Sequence, residues 1–167
     1  SMSTWTKTTV QLADLGKAMA PSGQIALTPQ VNLTNGTAAG QANVAWAAHL
    51  TIAAGQTTVI GLYDLTDDLG NAIVVGHLKH LLISNTSSIG GATLQLGGEF
   101  GTARPWLTMG LSSGAGGIVL GPGGAFMVTE PNAGLAVHEE PGSELILTNT
   151  DATHALTVDI LIVGTNV

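Results

Sequence analysis

Gly110-Leu111-Ser112-Ser113-Gly114 has the G-x-S-x-G spacing in which a hydrolase serine stands on a strained turn between an incoming strand and an outgoing helix. The chemistry would be acyl transfer through Ser112. Ala115-Gly116-Gly117 follows, which is a poor helix start, and the one downstream acid–histidine pairing, Asp151 with His154, is too local for a hydrolase triad. A glycine-rich loop fits the segment better. Asp64, Asp67, Asp68 and Asn71 gather oxygen donors in one loop, as a hard cation such as calcium requires, but off the EF-hand spacing; the competing reading is a plain acidic loop. His77 and His80 have helical metal-ligand spacing on what reads as a strand, where such residues face opposite sides. His138-Glu139-Glu140 lacks a matching second set of ligands and reads as solvated charge before the Pro141-Gly142 turn. The expectation is no catalytic residue, no cofactor and no resident metal.

The aromatic residues are Trp5, Trp46, Tyr63, Phe100, Trp106 and Phe126. A glycan-binding face needs exposed rings beside polar partners, and Phe100, Arg104 and Trp106 have the types for it. Packing in a core or interface is the alternative for isolated rings.

The elements that must position these groups read as strands. Leu81-Leu82-Ile83-Ser84-Asn85-Thr86 repeats, class for class, in Leu145-Ile146-Leu147-Thr148-Asn149-Thr150. In each copy an apolar run meets a polar turn and a second β-rich run follows, Ala92 to Leu96 and Ala155 to Val163, which predicts two hairpins. In the last run Leu156, Val158, Ile160 and Ile162 share one face, with Thr157 and Asp159 on the other. Ala48 to Ala53 and Thr57 to Leu62 predict a further hairpin around Ala54-Gly55-Gln56, and Gly121-Pro122-Gly123-Gly124 suits a type II turn between 118–120 and 125–128. Close-spaced short strands predict an all-β protein, an antiparallel β-sandwich or jelly-roll-like barrel over residues 46–167. Residues 1–45 read as an extended N-terminal arm that wraps a neighbour or packs along the flank, with Ser1 ahead of Met2 a scar of tag removal.

Charged residues form only 9% of the chain and apolar residues 44%. Soluble domains usually carry roughly 25% charge, so part of this surface must be covered, most simply by other subunits. A formal charge of −7 disfavours phosphate backbones and anionic lipid, so neither nucleic acid nor membrane is an expected partner. Cysteine is absent, which excludes disulfides and thiolate chemistry. The sequons at Asn32, Asn35 and Asn85 read as ordinary turn chemistry.

From Leu50 onward the order of features resembles small tailed-phage virion proteins of the head-decoration or capsid-associated type. The likeness is carried by Leu50 to Gln56, Leu81 to Thr86, Leu120 to Phe126, Leu145 to Thr150 and Ile160 to Gly164, about two-thirds of the chain. The resemblance implies a non-enzymatic domain, a homotrimer made in the host cytoplasm, that sits on the capsid exterior and bridges the major capsid protein. It transfers no catalytic residue. A glycan-binding module of a phage fibre is the alternative, and a serine hydrolase the third.

Overall fold

Leu156–Thr165 is the longest strand, and its alternation comes out as the sequence predicts: Leu156, Val158, Ile160 and Ile162 are buried and Asp159 is exposed. The computed structural model describes residues 2–5, 8–11, 24–27, 30–67, 69–97, 117–137, 139 and 144–166. Among them the strands are β1 (Met2–Trp5), β2 (Thr8–Gln11), β3 (Gln24–Leu27), β4 (Gln30–Asn35), β5 (Gln41–Ala42), β6 (Val44–Ile52), β7 (Thr57–Gly61) and β8 (Leu65–Thr66). Then come β9 (Ala72–Ile73), β10 (His77–Asn85), β11 (Leu94–Leu96), β12 (Ile118–Leu120), β13 (Ala125–Thr129), β14 (Leu135–Ala136), β15 (Glu144–Asn149) and β16 (Leu156–Thr165). The described residues contain no helix.

Two antiparallel sheets make the body. The first runs β13-β10-β16-β6, with β14 also pairing β10; the second runs β12-β11-β15-β7. They close over one apolar cluster: Ile52, Leu81, Ile83, Val158, Ile160 and Ile162 from the first meet Ile60, Leu94, Leu96, Leu145 and Leu147 from the second. Each such side chain contributes roughly 1.5–3 kcal/mol by leaving water, so this all-β sandwich needs no disulfide to close.

The three expected hairpins are not hairpins. β6 and β7, β10 and β11, and β15 and β16 each divide their two strands between the two sheets, and so do β12 and β13 around the Gly-Pro-Gly-Gly turn. These connections are arches over one end of the core. The turn chemistry is as predicted: Gly55 and Gly123 sit at φ 65° and 74°, and the Gly124 N–H donates to the Gly121 carbonyl at 2.8 Å. What the turns join differs, because a short amphipathic strand states which face is apolar and not which strand lies beside it.

The repeated Asn fastens the arches. Asn85, fully buried, donates from Nδ2 to the carbonyls of Ala92 (2.8 Å) and Leu120 (3.1 Å). Asn149, equally buried, donates to Ile52 (3.1 Å), Ala53 (3.0 Å) and His154 (2.8 Å). Each Asn therefore supplies donors to carbonyls at or near strand ends, among them the buried bonds to Ala92, Leu120 and Ile52. The Thr86 N–H bonds the Thr157 carbonyl and the Thr150 N–H bonds that of Thr93, so the two repeats also lock to each other. Exchanging the repeats exchanges the sheets: β10, β11, β12 and β13 take the places of β15, β16, β6 and β7 in the strand orders. The sandwich has an internal pseudo-twofold.

One irregularity sets up the outer side of the first sheet. The register between β10 and β16 shifts between Leu78 and His80, a β-bulge at Lys79. Lys79 is buried, and its Nζ donates to the Asn132 carbonyl. Across the neighbouring face lie residues 31–42, where Leu33 and Ala42 pack on Val163, with Val31 and Leu161 beside them. The Gly40 N–H to the Pro131 carbonyl (2.8 Å) and the Asn43 N–H to that of Gly164 (3.0 Å) tie this segment down. Farther toward the N-terminus β1 pairs β4, and β2 pairs β3.

Candidate functional site

The acidic loop between β8 and β9 uses its own donors. Asp67 Oδ1 accepts the N–H of Leu69 (2.9 Å) and of Asn71 (2.8 Å), and Oδ2 accepts Asn71 Nδ2 (2.8 Å). The Asn71 side-chain amide, then the Asn71 and Leu69 backbone N–H groups, hold the Asp67 carboxyl below its ordinary value. Asn71 thus presents its amide nitrogen, a donor, to Asp67. Asp64 is not in this loop: it lies before β8, in the turn that follows β7, against Gly61, because the short strand β8 divides the acidic stretch; Asp68 lies outside the described residues. No group of three or more His, Cys, Asp or Glu converges to hold a metal ion among the described residues.

His77 is exposed and His80 is 2% exposed, so the two rings part company. Asp151 and His154 share one tight turn: Thr153 donates to Asp151 Oδ1 from Oγ1 (2.7 Å) and from its backbone N–H (2.8 Å), and the His154 ring approaches Oδ2 through Nδ1 at 2.9 Å. The Thr153 hydroxyl first, then its backbone N–H and the His154 ring, hold the Asp151 carboxyl well below the usual range. That is turn construction, with the acid spent on its own loop. Phe100, Arg104, Trp106 and the Gly110–Gly114 stretch with Ser112 lie outside the described residues, as do His138 and Glu140. Two of the other aromatic rings serve packing with a polar handle: Trp46 Nε1 donates to the Thr66 carbonyl at 3.0 Å and Tyr63 to that of Val137 at 3.3 Å.

The outer face of the second sheet is the surface that reading for motifs passes over. Register alternation puts Val119, Gln95, Thr148 and Thr57 in one row across the four strands, and Ile146 and Val59 in the next. Neither row carries a charge. Val119 is 58% exposed and Val59 46%, whereas Ile146 between strands β11 and β7 is 4% exposed. The signal was in the sequence as the residues left over once the core-facing set is removed. On the first sheet the corresponding face holds the His49–Asp159 pair, its Nδ1 to Oδ1 distance 2.5 Å, beyond the patch covered by residues 31–42.

A cleft of about 340 Å³ opens between the start of β6 and β9, lined by Asn43, Val44, Ala45, Ala72, Ile73, Val74 and Asn166. Asn43 and Asn166 bond each other there, Nδ2 to Oδ1 at 2.6 Å. Among the described residues its walls carry no ionisable side chain, so they offer shape and amides. Compared with known proteins, the chain matches no family model, no curated protein and no solved structure.

Proposed function

We propose that the protein is a non-enzymatic structural component of a phage virion, a jelly-roll domain that decorates or cements the capsid exterior as a homotrimer seated on the major capsid protein. The strand order, β13-β10-β16-β6 over β12-β11-β15-β7, supports the jelly-roll reading. Synthesis in the host cytoplasm suits a chain without cysteine.

The observation that carries the reading is the charge-free outer row Val119–Gln95–Thr148–Thr57 with Val59 beside it. Two uncharged rows of exposed valine among neutral amides and hydroxyls, with Glu144 one row beyond, are suited to burial against protein, where unpaired charge is costly, and ill suited to a phosphate backbone. Asp67, Asp151 and Lys79 are occupied in holding turns and a bulge.

Light scattering behind a sizing column tests this directly. The expected mass is three times that of the 16.8 kDa chain, falling to one when Val59 and Val119 are both changed to Glu. A wild-type monomer that does not bind phage shells would overturn the proposal, and glycan capture by that monomer would move the reading to the fibre module.

A further inference from the structure

We propose that His80 is an acid-operated latch for residues 31–42: a second proton on its imidazole frees that segment from the outer face of the first sheet around Val163. The ring is held between two points to which the segment is tied. On one side Nδ1 bonds Thr129 Oγ1 at 2.9 Å, and two residues on, the Pro131 carbonyl takes the N–H of Gly40. On the other side His80 stands opposite Val163, the residue over which Leu33 and Ala42 close.

The other ring nitrogen, Nε2, is buried and has no hydrogen-bond partner among the described residues. As the neutral imidazole it sits there with one hydrogen-bonding site unmet among the described residues. The imidazolium would carry N–H groups at both nitrogens, and the one at Nε2 would be a buried, charge-bearing donor with no acceptor among the described residues. No described carboxylate is poised to answer it. On β10 the nearest charge is Lys79, a like charge occupied with Asn132, and His77 is exposed. On β13 Glu130 follows Thr129 and accepts the Asn132 N–H; on β16 Asp159 lies two rows along the face and is bonded to His49. Residues 31–42 carry no titratable side chain.

Burial accordingly holds the ring below its ordinary 6.5. The sign follows: a group whose folded value is lowered supports the closed state fully above pH 6.5, and that support is lost as pH falls from there toward the folded value. Opening the cover is the local route to water for the ring, because it breaks a few contacts and leaves the core intact. What opens is an apolar strip, Leu161 and Val163, that a partner could then cover.

Amide hydrogen exchange on the full chain at pH 7.5 and 5.0, corrected for intrinsic rates, reads the latch. Protection of the Gly40 and Asn43 amides should fall about tenfold, the size of one pH unit of linkage, while the amides of β15 keep theirs. His80→Asn, which has no titrating ring, should abolish that difference, and His49→Gln and His77→Gln should preserve it. Protection in the wild type that does not change with pH, or a change that persists in His80→Asn, would overturn the proposal. Should His80→Asn fail to fold, the wild-type ring resonances decide: titration below 6.5 together with the Gly40 amide supports the latch, and titration at or above 6.5 rules it out.

Discussion

The two Asn-ended strands carry the same motif to different loads. Asn85 gathers two carbonyls, from its own arch and from the end of β12; Asn149 gathers three, two of them consecutive at the end of β6. After each Asn the chain turns back on the side chain, with the Ser87 N–H to Asn85 Oδ1 at 3.1 Å and the Asp151 N–H to Asn149 Oδ1 at 3.0 Å. One copy then continues with a neutral hydroxyl and the other with an ionised carboxylate. The pseudo-twofold therefore lies in the staple, and the loops beyond it have diverged. A buried amide that feeds several strand ends at once is a device for choosing partners, because apolar strands alone would accept many.

Replacing the staples gives the largest expected separation between the copies. Asn149→Ala removes two N–H donors that three carbonyls share and Asn85→Ala removes two that two carbonyls hold, so each should cost about 2–3 kcal/mol, with the shared set the larger. Urea denaturation measures both, and equal losses would mean that bond count does not rank the two arches. The turn glycines come next. Gly55→Ala and Gly123→Ala each force a side chain into positive φ where a new Cβ meets no atom within 4 Å, so the cost is the backbone's alone. About 1 kcal/mol is expected at each, and a marked difference in melting temperature between them would show that the symmetry does not extend to the turns.

The smallest effect isolates the one chemical difference between the copies. Because the Asp151 carboxyl is held below its ordinary 3.8, the second arch has support above that value that it loses as pH falls through and below it. Asp151→Ser, which makes the second copy resemble the first at Ser87, should remove that support, lowering stability slightly at neutral pH, where the Ser hydroxyl can still accept the turn N–H, and flattening the stability curve below about pH 4. An acid limb that keeps its slope in this variant would place the linkage elsewhere.

Much of the fold is legible in single residues. The period-two set of β16 and the repeat ending in Asn85 and Asn149 stand in the sequence, and both are where the structure has them. Partner choice is not legible there, since Ala54-Gly55-Gln56 closes a hairpin or an arch with the same turn, and what decides is the distant amide of Asn149. The sequon at Asn85 shows the same gap: a triplet that looks like a surface turn belongs to a fully buried side chain. Among the candidate residues, types and spacing pick out Asp67 and Asn71 as neighbours but do not say that the carboxylate is already occupied by N–H donors. His80 gave no signal beyond its place on a strand, because its isolation arises from the bulge at Lys79 and the segment lying across Val163.

The position of β16 also has a consequence in time. It lies in the middle of the first sheet, between β10 and β6, with Leu156 to Gly164 paired against Ile52 to Val44. On a ribosome, β6 emerges with nothing to bond until more than a hundred further residues have been added, and the arches keep its immediate successor in the other layer. Assembly of this sandwich must wait until β16 has been made, and closure between such distant segments is slow. Until then a nine-residue strand with an apolar face stands open to other nascent copies, so the interval before β16 arrives is when the protein is most exposed to wrong partners.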